Sequence, residues 1–215
     1  MKKKLLFIMF ILIGFDSYAQ TAIKISFETQ TIIKEESLKS IPVHIRAAAL
    51  QQLLSIKKQS IMIIQDRKVY FESKHSEQEV VNKGVINTKE AENGVLFTKD
   101  LSTSVSFSAI KLIKDPKTNT YVTRDKKELL SKKIPVVEWK ITNKQKKILG
   151  YRCYEAMTTY KNQILKVYFT KEMKVIASPD TFPFINGVVL EYNYGQTFGK
   201  VVKVEMNQPV IINFL

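Results

Sequence analysis

One thiol, two imidazoles and a few clustered carboxylates are the side chains here that chemistry could use. Cys153 is the sole cysteine, and the histidines are His44 and His75. A nucleophilic cysteine needs a neighbour that lowers its pKa, ordinarily a His, a Lys or a helix N-terminus. On the strand pattern around it, Cys153 shares a face with Tyr151 and Glu155, while Arg152 and Tyr154 face the other way, and no such base stands nearby. The sequence has no Gly-x-Ser-x-Gly elbow, so a triad would have to recruit His44 or His75 from afar. A zinc site needs several His or Cys ligands at short spacing, which two isolated histidines do not provide. Glu35-Glu36 and Glu90/Glu92 fall in polar stretches where carboxylates are simply hydrated. The seven glycines build neither a dinucleotide fingerprint nor a phosphate loop. The expectation is a protein that is not an enzyme, with no catalytic residue, no metal and no cofactor. Cys153, unable to form an intramolecular disulfide, is expected to be buried as a small hydrophobe.

The elements that would position any site are mostly strands, because apolar and polar residues alternate along most of the chain. Ile23, Ile25 and Phe27 alternate with Lys24, Ser26 and Glu28. One helix is expected over residues 43–56, where Val43, Ala47, Leu50 and Leu54 recur at helical spacing behind Pro42. Residues 61–64 and 68–72 form a hairpin around Gln65-Asp66-Arg67, and residues 75–92 read as loop with one short strand. Short strands follow at 94–98, 102–108, 110–113 and 120–123. The second half predicts a strand at 136–142 carrying Trp139, a turn at 143–146, and a hairpin of 152–161 with 163–170. A central strand at 187–193, a strand at 200–207 and a closing strand at 210–214 complete it. The fold class is therefore mainly β, an antiparallel half-barrel or sandwich-like sheet with one docked helix.

The first residues read as a leader. Lys2, Lys3 and Lys4 precede eleven apolar residues from Leu5 to Phe15, and Ser17-Tyr18-Ala19 offers a cleavage site before Gln20. Eleven apolar residues are too few to cross a bilayer, which takes about 20. Residues 1–19 are thus expected to be a signal peptide and residues 20–215 one exported domain, periplasmic or secreted. No Cys stands near the cleavage point to take a lipid. The whole chain carries +14, and without its leader 31 basic residues face 19 acidic ones, leaving +12. That balance favours peripheral contact with anionic membrane surfaces. The lysines are scattered, in groups such as 57–58, 124–127, 132–133 and 144–147, without interleaved aromatics, so no nucleic acid is expected.

Aromatic area concentrates in one stretch: Trp139, Tyr151, Tyr154, Tyr160, Tyr168, Phe169, Phe182 and Phe184. The run Ser178-Pro179-Asp180, Phe182, then Phe184-Ile185-Asn186-Gly187-Val188-Val189-Leu190-Glu191 resembles the signature of the GLPGLI family of exported Bacteroidetes proteins. Trp139-Lys140-Ile141, Gly150-Tyr151-Arg152-Cys153 with Ala156, and Val167-Tyr168-Phe169-Thr170 match further landmarks in order. Phe184 stands for the first Gly, Asn186 for the Pro, and Val188 and Val189 for Leu and Ile. Gly187, Leu190 and Glu191 are kept. The resemblance implies an exported β-rich protein associated with outer-membrane transport. Trp139, Gly150, Tyr151, Cys153, Pro179, Leu190 and Glu191 are then motif positions, and Phe182, Phe184, Asn186 and Gly187 a docking loop. The expected function is non-catalytic binding to an outer-membrane protein. The alternative is a carrier of a lipid or other hydrophobic ligand in a half-open barrel.

Overall fold

Period-two alternation becomes strand almost wherever it occurs. The computed structural model describes residues 22–33, 57–73, 109–125 and 128–209, the backbone of 76–82 and 101–107, and separate positions between 36 and 54. The leader, both histidines, Glu35, Glu90, Glu92 and the expected strands at 94–98 and 210–214 lie outside the described residues. Among them, no helix is long and apolar enough to cross a membrane. The strands are β1 (Ala22–Thr31), β2 (Lys58–Gln65), β3 (Lys68–Ser73), β4 (Ser76–Asn82), β5 (Leu101–Phe107), β6 (Ile110–Asp115), β7 (Thr120–Asp125), β8 (Glu128–Lys133), β9 (Lys140–Ile148), β10 (Tyr151–Tyr160), β11 (Gln163–Thr170), β12 (Val188–Tyr194) and β13 (Thr197–Gln208). Eleven of them form one antiparallel sheet in the order β8-β7-β6-β3-β2-β1-β13-β12-β11-β10-β9, and β4 pairs with β5 separately.

Turn chemistry fixes the hairpins. Asp66 and Arg67, Leu149 and Gly150, and Lys161 and Asn162 each pair two positive φ angles in a two-residue loop, the backbone that matches the twist of the flanking strands. The sequence placed the second of these turns too early, at 143–146. β9 instead runs unbroken to Ile148, and Trp139 lies in the link before it. The strand β8 was not anticipated either, because its residues Glu-Leu-Leu-Ser-Lys-Lys sit on an exposed edge and show no alternation.

The link from β8 to β9 determines the sheet's shape. These strands are the two edges, ten strand spacings apart, or about 48 Å if the sheet were flat. Residues 134–139 are all that joins them, and seven chain steps reach about 24 Å at most. The sheet must curl into a deep trough, without closing into a barrel.

Helical backbone occurs at Val43, Arg46, Ala47, Leu50, Gln51 and Leu54, as the spacing predicts. Val43 is 76% and Leu54 39% exposed, so at these positions the apolar stripe is open rather than docked on the sheet.

Candidate functional site

A curled sheet of this size encloses apolar surface that must be covered. The chain covers it with residues 171–187, which leave the end of β11 and cross the trough before entering β12. Met173, Ala177, Phe182 and Ile185 of this crossing join one core cluster with Phe27, Met62, Phe71 and Leu112 on one wall and Val167, Phe169, Tyr192 and Val201 on the other. Phe182 packs edge-on against Tyr160, Tyr192 and Tyr194, with ring centroids 6.1, 5.0 and 5.3 Å away. The crossing is an internal plug.

Polar contacts fasten the plug on both sides. Lys114 on β6 is wholly buried. Its Nζ donates to Ser178 O at 2.8 Å, Ser178 Oγ at 2.6 Å and Phe182 O at 2.8 Å, and sits 4.6 Å from the centre of the Phe184 ring. Burial drives its pKa well below the usual lysine value, opposed by the charge of Asp180. From the other wall, Trp139 Nε1 donates to Phe184 O at 2.8 Å, and Tyr160 OH donates to Thr181 O at 3.0 Å. The plug returns to the sheet through Ala177 N to Gly187 O and Val189 N to Ala177 O, both 3.0 Å.

Where β6 and β7 meet the Asp180-Thr181 turn, the plug leaves an open cleft of about 620 Å³, lined by Tyr121, Thr123, Arg124, Asp180 and Thr181 among others. A second, shallower concavity of about 480 Å³, lined by Met157, Ile164, Lys166 and Asn193, lies on β10–β12.

A polar network crosses the sheet through directly paired residues, which share a face. Glu155 pairs with Tyr168, and Tyr168 with Glu191. Tyr168 OH donates to Glu155 Oε2 at 2.9 Å and Thr142 Oγ1 to Glu155 Oε1 at 3.0 Å. Lys146 Nζ lies 2.5 Å from Glu191 Oε1 and 3.9 Å from the centre of the Tyr168 ring. Burial alone would raise Glu155, but the hydrogen bonds from Tyr168 and Thr142, with the charges of Lys144 and Lys166, hold its carboxyl below the ordinary range. Tyr168 is pushed up to about 12, chiefly by burial and then by Glu155. A carboxyl whose folded pKa is depressed stabilises the fold above its unfolded pKa, and loses that contribution as pH falls through the folded value. Denaturant melts of wild type and Glu155→Gln should therefore differ at neutral pH and draw together as pH falls below the unfolded carboxyl pKa of about 4.3. Curves that stay parallel would contradict it.

Cys153 is fully buried and free. Burial raises its pKa to about 11, against a backbone hydrogen bond that lowers it. Ellman's reagent at pH 8 should find no reactive thiol in the folded protein and one after denaturation. Rapid native labelling would reverse that assignment.

The docking loop expected at Phe182, Phe184, Asn186 and Gly187 is corrected by these positions. Phe182 and Gly187 are buried, Phe184 is half-buried against Lys114, and only Asn186 is exposed. The trough needs apolar filling, and the rings turn inward to supply it. The motif positions are structural as well. Gly150 makes the β9–β10 turn beside half-buried Tyr151, Pro179 O accepts Phe182 N at 3.3 Å, Leu190 is fully buried, and Glu191 binds Lys146. Sequence reasoning missed Lys114, although Ile110, Leu112 and Lys114 alternate onto one face. It also missed Asp180, Thr181 and Tyr121, which come together only because the plug crosses the trough.

A curled antiparallel sheet filled by its own inter-strand crossing, with an open cleft beside it, defines the architectural class. The family model of the N-glycanase (PNGase F-II) N-terminal domain matches residues 68–210, and the chain belongs to that family. Its fold is similar to part of PNGF-II solved in a C2 crystal form, with 16% identity and a TM-score of 0.54, covering 89% of this chain and 28% of that one. The P21 form gives 14%, 0.54, 89% and 29%. The chain thus spans under a third of the length of the solved proteins it matches. No curated protein matches it in sequence. The resemblance to the GLPGLI family is overturned, since the matching family is a different one and the motif-like run is the end of the plug and the start of β12.

Proposed function

We propose that this chain is an exported, non-catalytic recognition module of an N-glycanase-like system, holding glycoprotein rather than cleaving it. The observation that carries this reading is the family match across residues 68–210, from β3 to the end of β13. Its chemistry-bearing residues support it. The Cys153 thiol is raised out of the nucleophilic range, Glu155 is tied to Tyr168 and Thr142, and Lys114 is consumed by the plug. The leader sequence supports export. The association with outer-membrane transport rested on the overturned resemblance and falls with it. The lipid-carrier alternative loses its cavity, because Phe182 and Ile185 already fill the trough.

Calorimetric titration of the purified chain with an N-linked glycopeptide and its glycan-free counterpart tests the reading, with mass spectrometry to detect released glycan. Saturable binding of the glycopeptide alone, without release, is expected. Equal binding of the two peptides, binding of neither, or release of glycan would each overturn it.

A further inference from the structure

The cleft beside the plug differs from the rest of the surface in what its walls offer. Tyr121 pairs directly across the strands with Lys114, and Thr123 with Leu112. Both therefore stand on the face that lines the trough, and Tyr121 is half-buried and packs against the core. The facing wall is the Asp180-Thr181 turn. Asp180 adopts φ +50 and accepts Thr181 N through Oδ1 at 2.5 Å, while its second carboxylate oxygen has no hydrogen bond among the described residues. Thr181 Oγ1 lies 3.1 Å from Tyr160 OH, whose single proton is shared between it and Thr181 O, and its hydroxyl can turn toward the cleft to donate or accept. The turn is held in place from behind by Lys114 and Tyr160, so an acceptor, a hydroxyl and an aromatic face are fixed before any ligand arrives. Arg124, at the end of β7, lines the same cleft and forms no ion pair among the described residues.

Charge narrows the ligand. The chain as a whole carries +14, yet the charged residues lining this cleft are Glu72, Asp180, Lys111 and Arg124, two of each sign. A flat aromatic surface opposite a carboxylate–hydroxyl pair suits a molecule with an apolar ring face and adjacent hydroxyls at its rim. The hydroxyls donate to the carboxylate in charge-assisted bonds, and the ring face lies on the tyrosine, which joins apolar area to a polar atom.

We infer that this cleft is a saccharide subsite, in which Tyr121 stacks on a neutral sugar ring and Asp180 and Thr181 bind neighbouring hydroxyls. The inference rests on the glycoprotein-recognition reading above and assigns it a place and a ligand class.

The test uses the same glycopeptide, and the free oligosaccharide as competitor, on wild type and three variants. Asp180→Asn keeps a residue that tolerates positive φ but removes the charge. Tyr121→Leu keeps apolar packing but removes the ring face. Lys166→Ala alters the other concavity. Affinity should fall about tenfold or more for the first two, the scale of one hydrogen bond to a charged group, and stay within twofold of wild type for Lys166→Ala. Oligosaccharide should compete. If wild type binds glycopeptide and all three variants bind equally well, the subsite is overturned while the recognition reading stands. The subsite is likewise overturned if the free sugar fails to compete. If wild type binds no glycopeptide, both fall. Matching thermal melts of each variant guard against loss of fold, and Arg124→Gln, an exposed change, gives a further arm expected to weaken binding.

Discussion

Lys114→Met should lower stability by about 1–3 kcal/mol, the cost of one buried polar group left without its partner. Methionine nearly matches the lysine stem in length, so the substitution tests the ammonium rather than the packing. Without Nζ, Ser178 O loses its donor at 2.8 Å. Phe182 O keeps only Ser178 Oγ, 2.9 Å away. For a chain of this size the loss corresponds to a fall in melting temperature of about 2–12 °C. The pH dependence separates this account from simple repacking. Burial places the folded pKa of Lys114 below that of the unfolded chain. Between the folded value and about 10.4, the unfolded chain therefore binds the extra proton, and stability rises with pH there. Wild type should gain on Lys114→Met as pH is raised toward 10, read by denaturant melts at constant ionic strength. A difference that shrinks with rising pH would show that the charged form is the one the plug favours.

That lysine also shows how far the sequence could be read. The alternation Ile110, Leu112, Lys114 points the lysine at the core, and a buried cation on an apolar face is a signal visible without coordinates. What the alternation lacks is the acceptor set, because Ser178 and Phe182 lie 64 and 68 residues away. Strands with one buried face were legible for the same reason: Ile25 and Phe27 are fully buried where the pattern placed them. β8 was not, since both faces of an exposed edge are polar and no period survives. The curl was illegible as well. It follows from six residues spanning the sheet's two edges, and a link of that kind reads as ordinary coil until strand order is known. The aromatic run at 182–187 misled most. Phe, Pro and Asn between two strands look like an exposed loop, and only a trough in need of filling turns them inward. The cleft inherits this difficulty, because Tyr121 and Asp180 meet solely through the plug's path. Family membership, in turn, is carried by a match running from β3 to β13 rather than by the short run that resembled another signature.

Gly187→Ala should be the most damaging single methyl addition at the plug. Gly187 has φ +149, in a region that is close to glycine-only and costs other residues of order 1–3 kcal/mol. Space is lacking too. A Cβ there would come within 3 Å of the Phe169 ring and closer still to the carbonyl oxygen of Thr170. A ring can rotate away, but the carbonyl belongs to the last residue of β11 and cannot move without breaking the β11–β12 pairing of Thr170 with Val188. Strain and collision together should cost about 3 kcal/mol or more, as backbone strain and overpacking do elsewhere. Gly150→Ala is the control. Its φ of +88 is also left-handed, yet nothing lies within 4 Å of the added carbon, so it reports strain without collision. The single tryptophan makes the outcome visible, because Trp139 is bonded to the plug through Phe184 O. Gly187→Ala should melt well below Gly150→Ala and shift Trp139 emission to the red as the plug lifts. Equal melting temperatures with unchanged emission would mean that the crossing is not packed against the end of β11, and the internal plug would have to be abandoned.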